Sequence, residues 1–113
     1  MYSKELLKGT LRTIVLKLLA EHGTMYGYEI TQKTKQLTDG KIVLTEGALY
    51  PLLHKLEAEG YLVTSTQSIG KRIRKYYALT AEGDEKAVSL SNEFADFVQT
   101  VIYLLNPSLV PKT

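Results

Sequence analysis

Residues 45–79 read TEGALYPLLHKLEAEGYLVTSTQSIGKRIRKYYAL. Leu49, Leu52, Leu53 and Leu56 recur at i, i+3, i+4 and i+7, the stripe of an amphipathic helix. Thr45 suits its N-cap, and Gly60 marks its end. At 100° per residue the opposite face carries Gly47, Pro51, His54 and Lys55, with Tyr50 at its edge. Pro51 lacks a backbone N–H, a loss bearable within the first turn or so, so the helix is expected to start later than Thr45 suggests. Tyr61–Thr66 and Ile73–Leu79 are rich in β-branched and aromatic residues and predict two strands. Ser68, Ile69 and Gly70 supply the turn between them. Lys71, Arg72, Arg74 and Lys75 make the second strand basic. A helix followed by a basic β-hairpin is the layout of a winged helix-turn-helix, which sets a groove probe beside a cationic grip for phosphates.

Upstream, Leu7, Leu11, Ile14, Val15 and Leu18 predict a first helix over 4–21. Leu6, Leu16 and Leu19 fall outside that stripe, so a second apolar face is expected, free for a partner. A shorter helix is expected over 26–38, then an Asp39-Gly40 turn. Residues 41–44 read as a short strand or an extended linker. Downstream, Thr80 suits the N-cap of a last helix, with Glu82, Asp84 and Glu85 near its positive end. Ala87, Leu90, Phe94, Phe97, Val101 and Leu104 step by three and four, a heptad seam. Val98, Ile102 and Leu105 widen it, and Asn106-Pro107 stops it. The expected fold class is therefore mainly α with a small β-hairpin (α+β). Residues 1–79 would form the winged helix-turn-helix and 80–106 a dimerisation helix packing on residues 4–21 of its partner, with 107–113 as a tail.

The chain of 113 residues, 44% hydrophobic and 23% charged, is long enough for one domain with a core. The net charge is only +2, but it is unevenly spread. The stretch 67–76 has four cations and no acid, while 80–106 is acidic. That asymmetry suggests a polyanion on one side only. The chain has no cysteine, which excludes a disulfide framework and thiolate chemistry and fits a reducing cytoplasm. No apolar run approaches a membrane span. No leader is recognisable at the N-terminus, where charges of both signs alternate. No cofactor is indicated. His22 and His54 lie in different elements, no phosphate-binding Gly-rich loop occurs, and His54 with Glu57 is too few ligands for a metal. An enzyme is not expected.

The candidate DNA-binding residues are Thr45, Gly47, Ala48, Tyr50, Pro51, His54 and Lys55 on the helix and Lys71, Arg72, Arg74 and Lys75 on the wing. A helix of this kind can enter the major groove, with Gly47 and Ala48 allowing close approach. Its plainer reading is the surface of a core helix. Alternation puts Arg72 and Arg74 on one strand face and Lys71, Ile73 and Lys75 on the other. Such charges can track phosphate, or merely protect a β edge. The candidate dimer interface is Leu7, Leu11, Ala87, Leu90, Phe94, Phe97, Val98, Val101, Leu104 and Leu105. Phe94 and Phe97 lie mid-seam. They either close an aromatic core or line a gap that takes a small aromatic, drug-like effector.

The segments MYGYEI (25–30), EGALYPLLHKLEAEGYL (46–62) and KRIRKYYALTAEG (71–83) resemble the PadR family of bacterial transcriptional regulators. The resemblance runs from the first helix to residue 105, and the single C-terminal helix is similar to the short subfamily with its multidrug-responsive repressors. It implies a homodimeric, cytoplasmic, sequence-specific regulator of double-stranded DNA, a repressor on a palindromic operator, released in some members by a small molecule. It carries DNA contact onto Tyr50, Pro51, Lys55, Arg72, Arg74 and Lys75. Two departures stand out. Glu46 puts an acid where many relatives have an uncharged polar residue. Phe94 stands in the region where some short members have Trp, and this chain has none. The alternative is a ligand-sensing or protein-interaction winged-helix module without direct DNA readout.

Overall fold

The computed structural model describes residues 2–109. In chain order the elements are α1 (Lys4–Lys8), α2 (Leu11–His22), β1 (Met25–Tyr26), α3 (Gly27–Leu37), α4 (Glu46–Ala58), β2 (Leu62–Ile69), β3 (Arg72–Leu79) and α5 (Ala81–Leu105). A 3₁₀ turn, Pro107–Leu109, follows, and the rest of the expected tail lies outside the described residues. The strands form one antiparallel sheet in the order β1-β3-β2. This is the mainly helical winged-helix architecture expected, with the C-terminal helix present.

Two local expectations about the first helix are corrected. The first helix is two: Gly9 is a weak helix former, and Thr10 Oγ1 donates to the Leu7 carbonyl at 2.8 Å, closing α1 before α2 starts. The second apolar face of α2 is not free, because Leu16 and Leu19 are buried in the chain's own core. Residues 41–44 take the second of their two expected forms, a linker without strand. Ile42 donates its N–H to Thr38 Oγ1 at 3.0 Å, and Leu44 drops into the core. A third strand that the sequence reading did not expect, β1, pairs Met25 to Tyr77 and Tyr26 to Tyr76.

The core joins Val15, Leu16 and Leu19 of α2, Ile30 of α3, Leu49, Leu53 and Leu56 of α4, and Tyr77 of β3. Thr45 caps α4, its side chain accepting from the Ala48 N–H at 3.3 Å. Helix α4 therefore starts where the cap implies, at Glu46, and includes Pro51. The bond lost at Pro51 is the one the Gly47 carbonyl would accept. Both residues are exposed, so water can take its place.

The hairpin connection is two residues, Gly70-Lys71, tighter than the three expected, with Ile69 paired to Arg72. Gly70 has φ 60°, the positive value the first position of a II′-type turn requires. Thr80 caps α5, accepting from Gly83 N–H at 3.0 Å and donating to the Gly60 carbonyl at 2.7 Å. Only Gly83 and Ala87 of α5 are fully buried. Ala87, at 1% exposure, belongs to the chain's own core. Its place in the seam is therefore corrected: no partner can reach it. Beyond Leu90, which packs partly on the core, Phe94, Phe97, Leu104 and Leu105 are uncovered.

Candidate nucleic-acid interface

The outward face of α4 and the wing meet in an open groove of about 470 Å³. Tyr50 and His54 line it from α4, Arg72, Ile73, Arg74 and Lys75 from β3, and Tyr26 and Gly27 from the start of α3. Of the sequence-derived residues, Tyr50, His54, Arg72, Arg74 and Lys75 thus share one concavity. Thr45, Gly47, Ala48, Pro51 and Lys55 are exposed on α4 outside the lining, and Lys71 is exposed at the turn.

The cations are not equivalent. The Arg74 guanidinium lies 4.0 Å over the Tyr26 ring. Tyr26 is held in turn by an edge contact with Tyr76 at 5.4 Å and a stack with Tyr28 at 6.4 Å between ring centres. Such a stack fixes a planar cation without neutralising it. Side-chain hydrogen bonding by Tyr76 raises the Arg74 pKa further, with Tyr26 and Glu29 adding to it. Lys75, on the other face, is 3.7 Å from Glu57 Oε1. Glu57 Oε2 also accepts from Thr64 Oγ1 at 3.0 Å, so one carboxylate ties α4 to both wing strands. Glu57, too poor in neighbours for a metal site, thus braces the wing. Arg12 makes a second brace, 2.9 Å from Glu59 at the end of α4.

Tyr26, Gly27, Tyr28, Tyr76 and Glu57 were not among the sequence-derived site residues. Their one signal was the crowding of tyrosines in this half of the chain. Gly27 is needed for space: a Cβ there would lie 2.5 Å from the Tyr50 hydroxyl. Gly27→Ala is therefore expected to push the Tyr50 ring out of place. If that hydroxyl donates to a phosphate, DNA binding weakens by roughly 1 kcal/mol, about fivefold. A filter-binding titration of Gly27→Ala beside Tyr50→Phe checks this, since the two should lose alike.

Burial pushes the Tyr77 pKa up, with Glu57 and Tyr50 adding to the shift. The folded state therefore favours the neutral phenol more than the unfolded chain does. The stability this gives is complete below about pH 10, the ordinary tyrosine value, and is lost as pH rises through the higher folded value. Urea midpoints at alkaline pH should fall less steeply in Tyr77→Phe than in the native chain. Equal slopes would reject the assignment.

Among the described residues no group of three or more His, Asp or Glu could hold a metal ion. No helix among them is long and apolar enough to cross a membrane.

A β-hairpin flanked by a capped helix, with polar and cationic side chains converging on one exposed side, is a winged helix-turn-helix whose exposed side suits a polyanion. The sequence profile of the transcriptional regulator PadR-like family matches residues 15–89, and the chain belongs to that family. It is similar to a transcriptional regulator from Clostridium thermocellum at 31% identity and TM-score 0.82, covering 91% of this chain and 99% of that one. Bacillus subtilis PadR, solved in complex with operator DNA, is 30% identical with TM-score 0.64, over 71% of this chain and 45% of that one. The transcriptional regulator Rv3488 of Mycobacterium tuberculosis is 38% identical over 50 residues, 44% of this chain and 47% of the relative.

Proposed function

We propose that this PadR-family regulator is a repressor that binds a palindromic operator as a homodimer. Residues 1–79 act as the DNA-binding unit and 80–106 as the dimerisation helix. The exposed face of α4, from Thr45 to Lys55, enters a major groove. The wing lies on adjacent backbone, and the arms set half-site spacing near one helical turn or a multiple. The observation that carries this reading is the pairing of two unlike surfaces. One side presents Arg72, Arg74, Tyr50 and His54 around a groove, while α5 carries an uncovered apolar stripe. Phe94 and Phe97, both exposed, would flank the two-fold axis and give a small planar aromatic effector a place to bind.

The test is a mobility shift across salt concentrations, using the duplex upstream of the protein's own gene against a scrambled duplex of equal length. If six to ten phosphates are neutralised per dimer, affinity falls roughly 10³–10⁵-fold from 50 to 200 mM salt. Preferential binding of the upstream duplex supports the reading, and salt-insensitive or absent binding to any duplex defeats it.

A further inference from the structure

We infer that Ile73 is a specificity-determining contact of the wing, an aliphatic side chain that separates A·T from G·C base pairs in the minor groove. The inference rests on the DNA-binding reading above. Ile73 is 78% exposed, against 40% for Ile69 across the turn, and takes no part in the core. A β-branched residue favours a strand, yet Thr64 and Thr66 on the facing strand meet that need without exposing so much apolar surface. Fold stability therefore does not account for an isoleucine here.

Its position does suggest a use. Ile73 pairs with Ser68, one step from the Ile69–Arg72 pair that closes the turn. It lines the groove towards α4, on the strand face shared with Lys75. Arg72 and Arg74, which strand alternation puts on the opposite face, reach the rim of the same groove. Cations on both faces can grip backbone, which leaves the apolar side chain between them over sugars and base edges. Apolar wedges of this kind are common where proteins enter the minor groove. There an A·T pair offers only acceptors, whereas guanine adds the donor of its 2-amino group. Ile73 has no acceptor to return. Against a G·C pair it would strip water from that amino group and leave it unpaired, which is costly. The preference for A·T thus arises by exclusion.

The experiment starts from the duplex that the full chain enriches out of a randomised pool. Each pair flanking the half-sites is remade in turn as A·T, I·C or G·C. Inosine lacks the 2-amino group but keeps the major-groove face of guanine. Beneath the wing tip, A·T and I·C should bind alike, and G·C roughly tenfold more weakly. In Ile73→Ser, whose hydroxyl can accept from the amino group, the gap should shrink below about threefold. The salt slope should stay the same, because no charge is removed. The inference is overturned if the native chain treats I·C and G·C alike at every flanking position, or if the full gap persists in Ile73→Ser. A native chain that enriches no duplex, and binds none in a salt-dependent way, defeats the DNA-binding reading itself and Ile73 with it. That outcome is distinct from binding without discrimination.

Discussion

Replacing Arg72 and Arg74 together by Ala is expected to weaken operator binding by about 10³-fold at physiological salt. Two side chains on each of two protomers remove four charged contacts, and about 1 kcal/mol each gives that factor. The dependence of log affinity on log salt should flatten by about 3 to 4, because four fewer phosphates release counterions. The fold should survive. Arg72 is exposed, and Arg74 gives up surface contacts only, its stack on Tyr26 and its hydrogen bonding with Tyr76. Lys75→Ala makes the internal comparison. Its ammonium shares Glu57 at 3.7 Å, so it has less charge to offer a phosphate and its loss should cost less. Fluorescence anisotropy over a salt series measures all three chains. If the Arg72→Ala/Arg74→Ala variant binds DNA as the native chain does, these two arginines are not the grip on the phosphate backbone, and the wing's cations serve another surface.

The sequence made α4 and the wing legible because each carries its own periodicity and punctuation. Three of the four leucines of the α4 stripe are buried, and Thr45 caps the helix where it stands. Gly70 can adopt the positive φ that a two-residue connection requires. Alternation also placed Arg72 and Arg74 opposite Lys75, and the ring of Tyr26 and the carboxylate of Glu57 meet those two faces separately. What stayed hidden has no local period. Strand β1 is two residues long, and it exists only because Tyr76 and Tyr77, far along the chain, offer it backbone partners. The clamp on Arg74 was therefore out of reach, since it needs Tyr26 and Tyr76 side by side. Glu57 looked like a helix-surface acid, and nothing in its neighbours announced Thr64. The excess apolar residues of α2 misled for another reason. A helix surrounded by α3, β3 and α5 needs more than one apolar face within a single chain.

That same burial of α2 concentrates the unmet apolar surface on α5, and a second large effect follows from it. Phe97→Asp with Leu104→Asp is expected to convert a dimer to a monomer. These side chains are 60% and 75% exposed in the single chain, and Ala87 and Leu90 already hold the first half of the helix to the core. The DNA-binding unit should therefore stay folded. Beyond Phe94 no residue of α5 is fully buried and only Val98, Val101, Ile102 and Tyr103 are half-buried, so this half gains order from whatever covers it. A second copy offers the same stripe in return, as a two-fold contact requires. Leu6 and the half-buried Leu7 and Leu11 lie near the other end of the chain to extend that surface. Losing the link between half-sites removes the effective concentration of the second unit, which costs roughly 10²–10⁴-fold in affinity for the palindrome. Affinity for one half-site should hardly change, because no DNA-facing residue is touched. Sedimentation velocity gives the mass, and titration of full and half operators gives the two affinities. A variant that remains a dimer would move the interface off this stripe. A monomer that still binds the full palindrome at native affinity would show that the two wings never act together.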